Sequence, residues 1–283
     1  MAAVAGSVGA ELEPTFAWIE RTVARARSAG AALVVFPECT LGGYPCERAG
    51  GGATPSPPAL ALDGPEIDRL CALAGPTAVC VGFSEDAPGG PFNSAVCVTA
   101  DGVLGHHRKV HLPPSEAFAY RPGSSFQAFD TPVGRLGMLI CYDKVFPESA
   151  LTLACDGAQI IASMSAWPVS RDAPSRRAAR RDVQSHQFDL LDRARAIENQ
   201  VVWVSANQTG RREGLRFFGQ AKIVDPCGRV LARTAGRPAT AIARIDISTA
   251  IESSRAPFYH LDDRRTEAYG LAVRASEAAA ATL

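Results

Sequence analysis

The sequence is poor in the features that mark several protein classes. Neither sign of charge is in excess: 29 Lys and Arg face 29 Asp and Glu, a formal net charge of zero over 283 residues. Nucleic-acid binders usually carry a basic surplus, so this balance argues against one as a partner. No apolar run reaches the ~20 residues of a membrane helix, and the longest, about 157–169, is broken by serines. Residues 1–10 are small and apolar but have no positive n-region, so no signal peptide is read there. Eight cysteines form no Cys-x-x-Cys pair, which leaves a zinc ribbon or thioredoxin-type motif unsupported. A chain this long needs no disulfide staples either. A reducing, cytoplasmic setting is expected.

What is present is a large core. Hydrophobic types make up 47% of the residues and charged types only 20%. Residues 15–29 carry Phe16, Ile19, Val23 and Ala26 at helical spacing, and Gly30 stops that helix. Residues 31–36 then read as a buried strand ending at Pro37. A Gly/Pro-rich excursion covers 42–58, and a short helix with Pro in its first turn covers 65–74. Strands are expected over 77–83, 94–99 and 103–110, the last two joined at Asp101-Gly102. Further strands are read at 134–141, 159–164, 201–206, 218–224, 229–233 and 241–247. Between them lie a helix from Pro147 to about Cys155 and a long one within 172–199, with Val183, Leu190, Leu191, Ala194 and Ile197 on one side. Strands interleaved with helices, without repeats, describe one α/β layered domain.

Three strand ends carry unusual residues: Glu38 after Leu33-Val-Val-Phe-Pro37, Lys109 in Arg108-Lys-Val-His-Leu-Pro113, and Cys141 after Gly137-Met-Leu-Ile140. In layered α/β folds functional side chains gather where strands end. A free thiol is only a few per cent thiolate at pH 7. A carboxylate can take its proton, and an ammonium can stabilise the thiolate and a developing oxyanion. Each residue alone has an ordinary structural explanation: core thiol, cap, solvated strand end. Together they are nucleophile, base and electrophilic stabiliser, the parts of acyl transfer. His106, His107 and His111 lack the carboxylate of a His-Glu-x-x-His pattern, so no metal is expected. The run Arg176, Arg177, Arg180 and Arg181 reads as a solvated helix face.

These blocks, with Ile140-Cys-Tyr-Asp143 and Phe146-Pro-Glu148, resemble the signature blocks of the nitrilase superfamily of carbon–nitrogen hydrolases. The similarity continues in order through Arg195-Ala-Ile-Glu-Asn199, Asn207-Gln-Thr-Gly210, Asp225-Pro-Cys-Gly228 and 263–269. The resemblance implies one α-β-β-α four-layer sandwich over 1–283, packing as a homodimer or larger homo-oligomer with the tail from about 250 in the contacts. It implies Glu38 as general base, Lys109 as oxyanion stabiliser, Cys141 as nucleophile and Glu116 orienting Lys109 or the substrate nitrogen. The backbone N–H of Tyr142 would complete the oxyanion hole, and no cofactor or metal is required.

Nitrile-cleaving members carry Trp-Glu after the nucleophile, whereas Tyr142-Asp143 here resembles amidase- and carbamoylase-like members. A small amide or N-carbamoyl substrate is therefore expected. Lys144-Val145 stands where members acting on N-carbamoyl-D-amino acids have an arginine pair. Lys144 is a candidate anion-binding residue, and Trp167, Tyr44 and Phe218 are candidate pocket walls. A nitrilase, an acyltransferase using the same thioester, and a non-catalytic binding module are the competing expectations.

Overall fold

The computed structural model describes residues 1–45, 57–170, 182–212 and 214–270. The excursion at 42–58 lies largely outside them, as do Cys46 and the Arg176–Arg181 run. Nine strands form a continuous path: β1 (Ala2–Gly6), β2 (Leu33–Val35), β3 (Ala78–Glu85), β4 (Phe92–Thr99), β5 (Gly102–Arg108), β6 (Ala128–Thr131), β7 (Gly134–Ile140), β8 (Ile160–Ser165) and β9 (Val202–Arg212). Their order is β5-β4-β3-β2-β1-β9-β8-β7-β6. Four shorter strands flank the path: β10 (Leu215–Phe218), β11 (Lys222–Val224), β12 (Val230–Arg233) and β13 (Ala239–Ile242). The helices are α1 (Leu12–Ser28), α2 (Pro65–Ala74), α3 (Pro147–Cys155), α4 (Val183–Asn199) and α5 (Ile247–Arg255).

Strand alternation builds four layers. In the first half of the sheet Ala3, Ala5, Leu33, Val35, Ala78, Cys80, Ala95 and Cys97 point to one side, joining Leu136, Met138, Ile140, Ile160, Ala162, Val202 and Val204 of the second half. Their neighbours Ala2, Val4, Val34, Val79, Val81, Val96 and Val98 point the other way, onto Phe16, Ile19, Val23, Ile67 and Leu70 of α1 and α2. Leu139, Ile161 and Trp203 likewise face Ala150, Leu153 and Ala196 of α3 and α4. The halves thus stack as helix, sheet, sheet, helix. Strands buried on both faces read as continuous apolar runs, which is why they are legible in sequence. Small inward residues, Ala and Cys, let the two sheet halves approach.

Several expectations are corrected. β1 and β6 were not read as strands, because Ala2-Ala-Val-Ala-Gly6 has little β-branched character. The strand expected over 218–224 is two, since Gly219 (φ 69°) and Gln220 (φ 62°) are left-handed and interrupt it. Residues 241–247 split into the end of β13 and the start of α5. The long helix has the opposite face buried: Phe188, Asp192, Arg195, Ala196 and Asn199 point inward, while Val183 and Leu190 are each 54% exposed.

Topology decides where the site lies. β1, β2 and β3 are mutually parallel, as are β9, β8 and β7, and β1 runs parallel to β9. Their carboxyl ends share one edge. β4 runs antiparallel to β3 and to β5. The start of β4 and the end of β5 therefore fall on that same edge.

Candidate active site

Each element delivers one functional group to this edge. Glu38 follows β2, Asn93 opens β4, Lys109 follows β5, Cys141 follows β7 and Ala166-Trp167 follows β8. Two non-glycine residues there have positive φ, Cys39 at 48° and Cys141 at 49°. Such backbone strain persists only where packing over-determines it, and it clusters at functional sites. Cys141 sits on the sharp turn from β7 into a 3-10 turn, Cys141–Val145, which leads to α3.

Lys109, Glu38 and Glu116 are fully buried. The Lys109 ammonium donates to Glu38 Oε1 at 2.7 Å and to Glu116 Oε1 at 2.6 Å. Asn93 Nδ2 donates to Glu38 Oε1 at 2.7 Å and to Glu116 Oε2 at 3.1 Å, and the Tyr44 hydroxyl donates to Glu116 Oε1 at 2.5 Å. The Ala166 N–H donates to Glu38 Oε2 at 2.6 Å, and Gln208 Nε2 donates to the Glu38 carbonyl at 2.9 Å. Every carboxylate oxygen is held, so both carboxylates are pre-positioned rather than free to rotate.

Burial dominates the electrostatics. It pushes the Cys141 thiol well above its ordinary value, with Glu38 adding and Lys109 opposing. Burial thus favours the neutral thiol at Cys141, so attack by this sulfur would need a base. Burial works against charge on Lys109, yet Glu116 and Glu38 outweigh it and hold that ammonium firmly protonated. Burial also raises Glu116, with Lys109 opposing and Glu38 adding.

A cavity of about 390 Å³ opens onto Cys141, lined among others by Tyr44, Pro113, Glu116, Tyr142, Trp167, Gln184 and Leu215. Tyr44, Tyr142 and Trp167 thus stand where a substrate would lie. Trp167 is fixed by its own N–H to Asn207 Oδ1 (2.8 Å) and its indole N–H to Gln184 Oε1 (2.8 Å). Two expected pocket residues are not brought there. Phe218 turns to the far side of β10, stacking edge-on against Phe188 and lining a separate cavity of about 1260 Å³. Lys144 is fully buried, because its ammonium reaches Asp192 on α4 at 2.8 Å rather than the cavity.

Asn93, Gln208 and Asp143 were missed. Asp143 is buried and accepts from five donors: the N–H groups of Ile140 (3.1 Å), Val110 (3.2 Å) and His111 (2.9 Å), and the rings of His107 (3.1 Å) and His111 (3.0 Å). It ties the segment bearing Lys109 to the residue before Cys141. His107 and His111 are consumed by this tie and His106 by Glu85, and no metal-ligand cluster occurs among the described residues.

A family model described as carbon-nitrogen hydrolase matches residues 1–255. A fission-yeast (Schizosaccharomyces pombe) protein named probable nitrilase is 34% identical over 70% of this chain and 69% of its own. An (R)-stereoselective amidase from Pseudomonas sp. is 33% identical over 82% of this chain and 79% of its own. Among solved structures, a carbon-nitrogen hydrolase from Helicobacter pylori G27 superposes with TM-score 0.78 at 24% identity, covering 95% of each chain. An amidase from Nesterenkonia sp. AN1 gives 0.74 at 24% identity, covering 94% and 96%. These likenesses show the α/β sandwich fold. No helix among the described residues is long and apolar enough to cross a membrane.

Proposed function

The chain belongs to the carbon-nitrogen hydrolase family, and on that premise we propose that it hydrolyses the C–N bond of a small amide or N-carbamoyl compound through a Cys141 thioester. One observation carries this: a fully buried lysine bridging two carboxylates at 2.7 and 2.6 Å beside a strained cysteine that opens onto a small cavity. Named relatives include amidases and nitrilases. Tyr142-Asp143 after the nucleophile favours the amide.

Cys141 Sγ attacks the carbonyl carbon while Glu38 takes the thiol proton. The oxyanion is held by the Lys109 ammonium and the Tyr142 N–H. Glu38 returns the proton to the departing nitrogen, the C–N bond breaks, and a thioester remains. Water, deprotonated by Glu38, attacks that carbon and releases the acid and the thiol. Glu116 holds Lys109 and needs no proton of its own. The protein works as a homo-oligomer of such sandwiches.

The test is intact-protein mass spectrometry across a panel of amides, carbamoyl compounds and nitriles, with hydroxylamine to trap an acyl group. An adduct on Cys141, absent in Cys141→Ala together with all turnover, is the expected result. Turnover persisting in a folded Cys141→Ala protein would overturn the mechanism.

A further inference from the structure

Beneath the cavity lies a charged cluster that the reaction above does not use. Lys144, Asp192 and Lys222 are all fully buried. Asp192 Oδ1 accepts from Lys144 Nζ at 2.8 Å and from the Trp203 indole N–H at 2.9 Å, and its Oδ2 accepts from Lys222 Nζ at 2.7 Å. Two ammoniums thus share one buried carboxylate. The next acid, Asp189, lies 3.5 Å from the Lys222 ammonium and pairs more closely with Arg233, at 2.5 Å. Arg195, the other cation on α4 near Lys144, donates to the Lys144 carbonyl and pairs with Glu198. The charge on Lys144 is left incompletely cancelled.

Its surroundings keep that charge just behind the cavity wall. Lys144 shares the 3-10 turn with Cys141. Its ammonium lies 3.3 Å from the centroid of the Phe188 ring and 5.2 Å from that of Trp167, which walls the cavity. An aromatic face accommodates a cation without neutralising it. Removing one partner of a buried ion pair is costly when it strands the other charge, but here Asp192 would keep its bond to Lys222 at 2.7 Å.

We propose that Lys144 is a positioning residue whose buried positive charge, under-compensated by the shared Asp192, favours negative charge on the Cys141 sulfur and so supports nucleophilic attack. This rests on Cys141 being the nucleophile. The direction agrees with the electrostatics: Lys144 opposes the upward push on the Cys141 thiol, and burial lowers Lys144 itself to about 8.

The test is the pH profile of Cys141 alkylation by iodoacetamide, resolved by peptide mass spectrometry, in wild type and Lys144→Met. Exposed Cys155 serves as internal reference. Removing the cation should leave about tenfold fewer Cys141 thiolates below about pH 8, where Lys144 carries its charge, and should not change them well above it. Fewer thiolates, partly offset by their greater nucleophilicity, then make alkylation about threefold slower below about pH 8 and unchanged well above it. Cys155 should not change, and kcat should fall more than KM rises. The melting temperature should hold or rise, because Asp192 keeps Lys222. Wild type supplies a second readout that needs no variant: its Cys141 profile should broaden near pH 8, where Lys144 loses its proton. A lowered melting temperature with an unmoved Cys141 profile, or a wild-type profile that fits one titration, would overturn the proposal. A turnover-competent Cys141→Ala would instead overturn the mechanism it rests on.

Discussion

Replacing Asp143 by Asn changes one atom in a site that offers only donors. Both carboxylate oxygens are in use, Oδ1 on Val110 N–H and on the N–H and ring of His111, Oδ2 on Ile140 N–H and the His107 ring. An amide has one oxygen, so its NH₂ must confront a donor in either orientation. With the nitrogen in the Oδ2 place, His107 can switch tautomer but the Ile140 N–H is orphaned. An unsatisfied buried N–H costs about 1–3 kcal/mol. Loss of the charge from the remaining bonds brings the total to about 3–5 kcal/mol, the usual cost of breaking a buried charged network. Against a total stability of about 5–15 kcal/mol this is a large fraction. Urea denaturation followed by circular dichroism should show the midpoint fall accordingly. The same substitution loosens the segment carrying Lys109 relative to Cys141, so kcat/KM should fall at least ~100-fold. A variant within about 1 kcal/mol and threefold of wild type would refute the role given to Asp143.

Two further outcomes are expected. Gly82→Ala would place a Cβ 2.6 Å from the Cys39 backbone nitrogen and 3.0 Å from the Glu38 Cα. Backbone cannot step aside, so stability should drop by about 1–3 kcal/mol and kcat with it, whereas Gly9→Ala, whose Cβ would meet only the Glu11 backbone nitrogen at 4.0 Å, should leave both unchanged in parallel melting and rate assays. Acid should unfold the protein through carboxylates held low. Glu85 is lowered to about 2 by Arg108, His106 and Ser94 against the penalty of burial, and Asp143 is held well below the ordinary range by His107 and His111, also against burial. Folded values below unfolded ones mean the stabilisation is complete above about pH 5 and is lost as pH falls through 4 toward 2. Glu85→Gln should flatten that slope in pH-dependent melting, and an unchanged slope would count against it.

Residues buried on two faces were legible because their partners impose no pattern beyond apolarity. Leu33-Val-Val35 and Gly137-Met-Leu-Ile140 need nothing more to be read as strands, and the polar residue after each was visible against that background. What escaped depends on partners far along the chain. Lys144 looks like a loop lysine until Asp192, forty-eight residues later, is seen beneath it. The buried face of α4 escaped for the same reason, since Asp192 and Arg195 face inward to meet charged or carbonyl partners. Asn93 was hidden at the head of an apolar strand, with no local sign that it bridges Glu38 and Glu116.

The surroundings of Glu38 also set an order in time. Its side chain meets Lys109 at a separation of 71 residues and the Ala166 N–H at 128, and its carbonyl meets Gln208 at 170. At roughly 5–20 residues per second, a ribosome needs roughly 10–30 s to deliver Gln208 after Glu38. Contacts of such span are slow to form, because loop closure must come before they contribute. A nascent chain that has not yet delivered Gln208 therefore carries Glu38, Lys109 and Cys141 without the full set of contacts that holds Glu38. A fragment ending before Gln208 should lack that arrangement.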